Sequence, residues 1–381
     1  MSAPDIWWKG VFHDVKRNSN KWWAVKWWSD GTYEASYGRI GEHTAMDSKT
    51  NVPRYFVEDK IREKVEKGYH EVPLATEADV VPTVSSNGYD SRLLEIAQYI
   101  ASQAGQSIRS HTAVSIDQIH PSHIQKARGI LNHLQLAVGN WDAQVYQVEQ
   151  YLNTIPTHVP FRRMTEEDVI PWFTKDLQKW YDQLDELEAN LRVHRAQEEG
   201  DTALFAGLPV EIEVMEQADE DYADVVEYVL STAHGGSRIR NVYRVTIHPE
   251  RAAYELEGKG NSKIMSLFHG TKGHYVQKIL STGLILPQSG GHGLRFGPGI
   301  YFADQAQKSQ NYASSYNTTW APMFIADVKV GRQLVHETQG HYTSAPSGYD
   351  SIHGIKAWSG HDEFVIWRPS QQTVRALVIF E

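Results

Sequence analysis

Hydrophobic and polar positions change period twice along the chain, and each change marks a different kind of structure. Within residues 1–75, short aromatic and β-branched runs are broken by Asn, Asp and Gly, the pattern of a small antiparallel sheet. Ser29-Asp30-Gly31 supplies a hairpin turn between residues 24–28 and 32–37, and residues 57–65 read as a closing helix. Residues 76–88, rich in Val, Pro, Thr and Ser, read as a linker.

From 89 to 195 the period lengthens to that of helices. Leu93, Leu94, Ala97 and Ile100 share one face, as do Ile124, Ala127, Leu131 and Leu134, which follow Ser122-x-x-Gln125, a capping-box pattern. A third and longest stretch carries Val169, Trp172, Phe173, Leu177, Trp180, Leu184, Leu187 and Leu191. This is the pattern of a helical bundle, with the aromatic residues packed in its core. The acidic, Gly-containing residues 196–208 mark the next boundary. Beyond it, residues 205–381 alternate as short strands rich in Gly and Tyr, among them 242–247, 264–268 and 376–380. The fold class expected is multidomain α+β, built as sheet, helical bundle and a C-terminal α+β domain.

A chain of 381 residues is too long for one ordinary core and suits two or three units. With 41% hydrophobic and 22% charged residues it is globular, and no apolar run is long enough to span a membrane. The absence of cysteine excludes disulfides, thiolate metal sites and a cysteine nucleophile. No signal-peptide pattern opens the chain, so an intracellular location is expected. The formal net charge is −10, yet residues 1–75 balance 12 Lys and Arg against 11 Asp and Glu. If a polyanion binds, that first segment is the better candidate.

The chemistry concentrates near the C-terminus. His269-Gly270-Thr271 ends a strand-like run, and a Gly there lets backbone approach a planar ligand, such as an amide, without an intervening Cβ. About thirty residues later, Phe296-Gly297-Pro298-Gly299-Ile300-Tyr301-Phe302-Ala303-Asp304 leads into a helix that Asp304 with Gln307 is expected to cap. On that helix Ser309 and Tyr312 are three apart and face one side, and Tyr301 offers a second aromatic wall for a flat ring. Glu363 taken alone reads as a surface residue; the strand-like residues 364–367 after it and the motifs before it point to the same site.

These pieces resemble, in order, the His-Tyr-Glu signature of the poly(ADP-ribose) polymerase catalytic domain: His269-Gly270, Tyr301 within Gly-x-Gly-Ile-Tyr-Phe-Ala-Asp, Lys308-Ser309-x-x-Tyr312, and Asp362-Glu363-Phe364-Val365-Ile366. Residues 219–249 resemble the first part of that domain. Residues 116–138 with Tyr151-Leu152-Asn153-Thr154-Ile155-Pro156 resemble the helical regulatory domain of the DNA-dependent members, and Tyr37-Gly38-Arg39-Ile40-Gly41 resembles their Trp-Gly-Arg (WGR) motif.

The resemblance implies a WGR-type sheet domain over 1–75, a helical regulatory domain over 89–195 and an ADP-ribosyltransferase fold over 205–381. It implies NAD+ as substrate, with no metal. Gly270 and Ser309 would hold the nicotinamide carboxamide, Tyr312 and Tyr301 would flank its ring, and His269 and Glu363 would bind the two riboses. Thr271, Phe302, Ala303 and Lys308 would complete the NAD+ site. Tyr37, Gly38 and Arg39 would contact nucleic acid.

The implied partners are DNA with ends or breaks, RNA being the other candidate, and acceptor proteins including the chain itself, with no membrane. The implied activity is poly- or oligo-ADP-ribosylation switched on by DNA ends, with a DNA-associated location, nuclear in a eukaryote and in the cytoplasm or nucleoid of a bacterium. The competing readings are a catalytically silent nucleic-acid scaffold and a mono-transferase regulated by a protein partner. Departures from the family pattern are Tyr37 in place of Trp, Ile285 where an Arg often stands, Pro298 between the two glycines where a Lys is frequent, and a short 335–360 stretch on the acceptor side.

Overall fold

The structure is a computed structural model that describes residues 4–14, 19–39, 45–71, 88–113, 116, 119–160, 165–200, 203–257, 263–289, 294–313, 320–356 and 360–381. Most of the expected linker, 76–88, lies outside the described residues, as do Ile40 and Gly41 of the WGR-like motif. The chain divides into two compact units, 1–80 with 107–191 and 81–106 with 192–381.

In the first unit, strands β1 (Ile6–Asp14), β2 (Ser19–Trp27), β3 (Tyr33–Arg39) and β4 (Ala45–Lys49) precede helix α1 (Arg54–Glu66) and a short β5 (His70–Glu71). They form one sheet in the order β4-β3-β2-β1-β5, every pairing antiparallel. The β2–β3 hairpin places Trp27 opposite Tyr33, and the Asp30 carboxylate accepts from the Thr32 N–H at 2.8 Å within the turn. Alternation then sends Trp23, Val25 and Trp27 to one face, where with Trp8, Tyr33 and Ala35 they pack on Val57 of α1. Val11 and the partly buried Trp22 face the other way, into a core made by the helices of this unit.

Those helices are α2 (Ser91–His111), whose residues from 107 onward belong here, α3 (Pro121–Leu136), α4 (Trp141–Thr154), α5 (Glu166–Thr174) and α6 (Leu177–Glu198), which contributes residues up to 191. Two local expectations are corrected. The α3 cap is not Ser122 with Gln125: His120 precedes the helix, its ring accepts from the Ser122 N–H at 3.3 Å, and the His123 ring accepts from the His120 N–H at 3.3 Å. The long third stretch is two helices, because the Asp176 carboxylate caps a new start by accepting from the Lys179 N–H at 3.2 Å. Their junction is filled by Phe173 stacked on Trp180, ring centroids 4.2 Å apart, with Tyr151 of α4 edge-on to both.

The second unit takes residues 88–106 of α2 and its N-terminal approach, then β6 (Val210–Val214), α7 (Tyr222–Leu230), β7 (Ile239–Ile247), α8 (His248–Leu256), β8 (Ile264–Gly270), α9 (Tyr275–Thr282), β9 (Ile300–Phe302), α10 (Ala306–Ala313), β10 (Ala321–Lys329), β11 (Gln333–His336), β12 (Ser351–Gly354), β13 (Glu363–Ile366) and β14 (Gln372–Phe380). One sheet runs β6-β7-β14-β10-β8 and a smaller one β11-β12-β13-β9. Helices cover both faces of the larger sheet. Val242, Phe268, Met323, Ile325 and Val378 pack with Val225 and Val229 of α7 and Ala306 of α10. Tyr243, Leu267, Phe324 and Leu377 pack with Val276 and Leu280 of α9 and with Ile96 and Ile100 of α2. Each such buried side chain contributes roughly 1.5–3 kcal/mol of apolar transfer. The fold is mixed α+β with mostly antiparallel strands; among the described residues of this unit only β11 and β12 pair in parallel.

The two sheets of this unit meet where Phe268 and Ala303 exchange backbone hydrogen bonds of 2.8 and 3.0 Å. That bridge brings the C-terminal end of β8 beside β9, and β9 is itself paired to β13. Residues separated by nearly a hundred positions are thereby gathered at one place.

Candidate active site

At the end of β8, Gly270 has no Cβ for a backbone reason. A Cβ there would lie 1.8 Å from the Ser309 carbonyl oxygen, so α10 can approach the strand only because position 270 is bare. Ser309 is buried against this contact and Thr271 is buried beside it. Helix α10 is held at its start by Thr232, not by the expected Asp304–Gln307 cap: the Thr232 hydroxyl accepts from the Ala306 N–H at 3.0 Å and its carbonyl accepts from the Gln307 N–H at 2.9 Å. Among the described residues, buried Asp304 Oδ1 has no hydrogen-bond partner.

His269 precedes Gly270, and its Nδ1 lies 2.9 Å from the Tyr301 carbonyl oxygen. A carbonyl only accepts, so Nδ1 carries the proton and Nε2 presents a lone pair. Burial lowers the ring's pKa, offset in part by that hydrogen bond, which favours the neutral imidazole. Tyr301 is fixed from two sides: its hydroxyl donates to the Gly297 carbonyl at 2.8 Å and accepts from the Phe296 N–H at 2.9 Å. The Gly297 backbone requires glycine, with φ of +93° and a would-be Cβ 1.9 Å from the Tyr342 carbonyl oxygen. Phe302, next on β9, is buried and meets the His269 ring edge-on at 5.9 Å, and buried Ala303 makes the bridge to β8.

Strand β13 supplies the carboxylate. Val365 pairs with Tyr301, and Glu363, two residues away, emerges on the same face. Its side chain is shut in with the ammonium of Lys308, 2.5 Å from Oε1, while buried Oε2 accepts no hydrogen bond among the described residues. Lys308 also reaches the Asp362 carbonyl at 3.5 Å. Burial lowers the Lys308 pKa, and the Glu363 carboxylate opposes that shift. The same carboxylate adds to the effect of burial in raising the hydroxyl pKa of both Tyr301 and Tyr312. Tyr312 projects from α10 with its residue surface 60% exposed, so it offers an accessible ring.

The structure thus gathers His269, Gly270, Thr271, Tyr301, Phe302, Ala303, Lys308, Ser309, Tyr312 and Glu363 around the meeting of β8, β9, β13 and α10. Sequence reading left out two groups that hold this arrangement. His353 on β12 lies 2.7 Å from Asp362 through Nε2, and Thr232 anchors α10. The first had no spacing to betray it; the second sits more than seventy residues before the helix it caps.

Tyr37, Gly38 and Arg39 lie on β3 of the other unit. Tyr37 is opposite Trp23 and Ala45 with 44% of its surface exposed, Gly38 is opposite Trp22, and Arg39 is opposite Lys21. Among the described residues, no group of three or more His, Cys, Asp or Glu side chains is placed to hold a metal ion. Among the same residues, no helix is long and apolar enough to cross a membrane.

Residues 219–374 match the poly(ADP-ribose) polymerase catalytic domain. Among curated relatives, mouse (Mus musculus) protein mono-ADP-ribosyltransferase PARP4 is 24% identical over 323 residues, covering 78% of this chain and 16% of that protein. Chicken (Gallus gallus) protein mono-ADP-ribosyltransferase PARP3 is 31% identical over 150 residues, 39% of this chain and 28% of that protein. Chicken poly [ADP-ribose] polymerase 1 is 24% identical over 256 residues, 63% of this chain and 25% of that protein. The chain therefore spans less than a third of the length of these relatives.

Proposed function

We propose that this chain is an NAD+-dependent protein ADP-ribosyltransferase. The observation that carries the reading is Glu363: a carboxylate shut in beside Tyr301 and Lys308, one oxygen held by the lysine and the other without a hydrogen-bond partner among the described residues. In the reaction, the bond between nicotinamide N1 and ribose C1′ breaks with its electron pair leaving on nicotinamide. Positive charge builds on the ribose as in a glycosidase transition state. Glu363 accepts from the 2′-hydroxyl of that ribose and lies close to the growing charge, stabilising the transition state more than the ground state. An acceptor side chain then bonds to C1′ and loses its proton, giving ADP-ribosyl acceptor, nicotinamide and H+.

The neighbouring groups orient NAD+. The Gly270 backbone and the Ser309 hydroxyl take the carboxamide, Tyr301 and Tyr312 sandwich the pyridine ring, and the His269 Nε2 lone pair accepts from the adenosine-side ribose. Thr271, Phe302, Ala303 and Lys308 line and brace this cleft. No metal takes part.

The finer reading is poly- or oligo-ADP-ribosylation, including of the chain itself, switched on by DNA ends. It is supported by Glu363 in the polymerase-type position of the motif and by an exposed Tyr37 beside Arg39 on a WGR-like strand, with a helical segment between sensor and catalyst in sequence. A regulatory segment couples two sites only by favouring different states with and without ligand. Mono-transfer is the second reading, favoured by the short 335–360 stretch and by relatives named mono-ADP-ribosyltransferases. Incubation with labelled NAD+, with and without broken DNA, separates them on a gel. A DNA-dependent smear supports polymer formation and sensing, discrete DNA-independent bands support mono-transfer, and no label contradicts transferase activity.

A further inference from the structure

Behind the strand that carries Glu363, a histidine and an aspartate form a pair that the reaction as derived does not use. His353 and Phe364 are register partners across β12 and β13, as are Gly354 and Glu363. The His353 ring stacks on Phe364 with centroids 4.5 Å apart and planes 15° apart, and its Nε2 lies 2.7 Å from Asp362 Oδ2. An ionised carboxylate only accepts, so Nε2 is the donor. The other oxygen, Oδ1, accepts from the Lys356 N–H at 3.0 Å, at a residue whose φ is +38°. Asp362 is thus tied by its side chain to β12 and the backbone just beyond it. Its main-chain carbonyl accepts at 3.5 Å from the same Lys308 ammonium that holds Glu363.

We propose that His353 is a positioning residue for Glu363, acting through Asp362. The route is short. His353 and Lys356 fix the Asp362 carboxylate, the fixed Asp362 sets where its carbonyl stands, and that carbonyl with Glu363 Oε1 fixes the Lys308 ammonium between them. His353 is itself restrained. Its ring lies on Phe364, which is buried and paired with Phe302, and Phe302 meets His269 edge-on. That stacking on a buried ring holds His353 against rotation. A carboxylate that acts on a developing charge must be held within a fraction of an ångström, and groups that touch no substrate do that work.

This inference rests on the transferase reading, and the test separates the two. Nicotinamide release from NAD+ is measured, with broken DNA present, for the full chain and for His353→Leu, His353→Asn and His353→Gln, each checked for folding by thermal unfolding. Leu keeps bulk without a donor, Asn has a donor too short to reach Asp362, and Gln reaches it. We expect Leu and Asn to lower kcat about ten- to a hundredfold with KM for NAD+ unchanged, and Gln to restore most of the rate. A merely structural histidine would not give recovery with Gln and loss with Asn in equally folded proteins. A folded Leu or Asn variant at full rate, a Gln variant as slow as Asn, or a loss confined to KM overturns the role of His353 alone. No release by the unsubstituted chain overturns the transferase reading, and this role with it.

Discussion

The ammonium of Lys308 stands 2.5 Å from one carboxylate oxygen of Glu363, with both side chains almost closed to solvent. An ion pair in such surroundings is held together by strong attraction but has lost much hydration, so removing either charge leaves the other uncompensated. Here that attraction fixes one oxygen and leaves its neighbour available for a ribose hydroxyl.

The pair gives the reaction an alkaline limit. Burial lowers the Lys308 pKa despite the opposing Glu363. The positioning charge is present below that lowered value and is lost as pH rises through it. Turnover of NAD+ is therefore expected to fall at a pH below the ordinary lysine range. Lys308→Arg, which stays charged, should lose this limb while running more slowly because the guanidinium is planar and bulkier. A wild-type pH–rate profile that stays flat up to the usual lysine pKa contradicts the assignment.

Gly270→Ala tests the close approach of β8 and α10. The added methyl would overlap the Ser309 carbonyl, which belongs to backbone and cannot swing aside. Overpacking of this kind costs typically about 1–3 kcal/mol, and it displaces both groups assigned to the carboxamide. Binding of a benzamide, which carries the same amide on a flat ring, should weaken sharply in calorimetry. Retention of full affinity would show that position 270 does not shape the amide slot.

Glu250 makes a separate prediction about stability. Its buried carboxylate accepts from the Leu284 N–H at 3.0 Å, the Val374 N–H at 2.6 Å and the Gln372 amide at 2.8 Å, clamping the chain after α9 to β14. Burial raises its pKa more than these hydrogen bonds lower it. Between the ordinary glutamate range and the raised native value, the folded protein holds more protons than the unfolded chain. Stability from this group is therefore greatest at acid pH and falls as pH rises through that window. Glu250→Gln should abolish that dependence in urea unfolding at several pH values. It should also cost about 1–3 kcal/mol, because one amide oxygen replaces an acceptor of three donors. An unchanged pH slope in the variant would contradict the assignment.

The pieces of the candidate site could be picked out in the sequence because they lie in short contiguous motifs. His269-Gly270, the run through Tyr301, Lys308-Ser309 and Glu363 each mark a strand end or helix start, and the pairings of β8, β9 and β13 bring them together. The β2–β3 hairpin was legible because alternation and a turn residue agree on one register. What escaped was non-local or ambiguous. Thr232 caps a helix far along the chain, and His353 acquires a role only through its β-sheet partner. Helix α4 has its own signals in the Asn140 cap and in buried Val145, Val148 and Leu152, yet it was read only for the motif at its end. Of the expected face Leu93, Leu94, Ala97 and Ile100, the structure buries Ala97 and Ile100 fully and the two leucines in part, and it adds Ile96, which with Ile100 packs in the core under β7, β10 and β14. Periodicity says that a face is buried and is silent about what buries it.

The account is tested most directly by counting nicotinamide released from NAD+, with broken DNA present, by the full chain and by Glu363→Gln, which keeps the shape of the side chain and removes its charge. If the carboxylate supplies about 3–4 kcal/mol to the transition state, the substitution slows release by roughly two to three decades in a protein that still folds and binds benzamide, with a lowered unfolding temperature because buried Lys308 loses its counter-charge. Equal release by a folded Glu363→Gln protein would contradict the central claim that this carboxylate drives departure of nicotinamide.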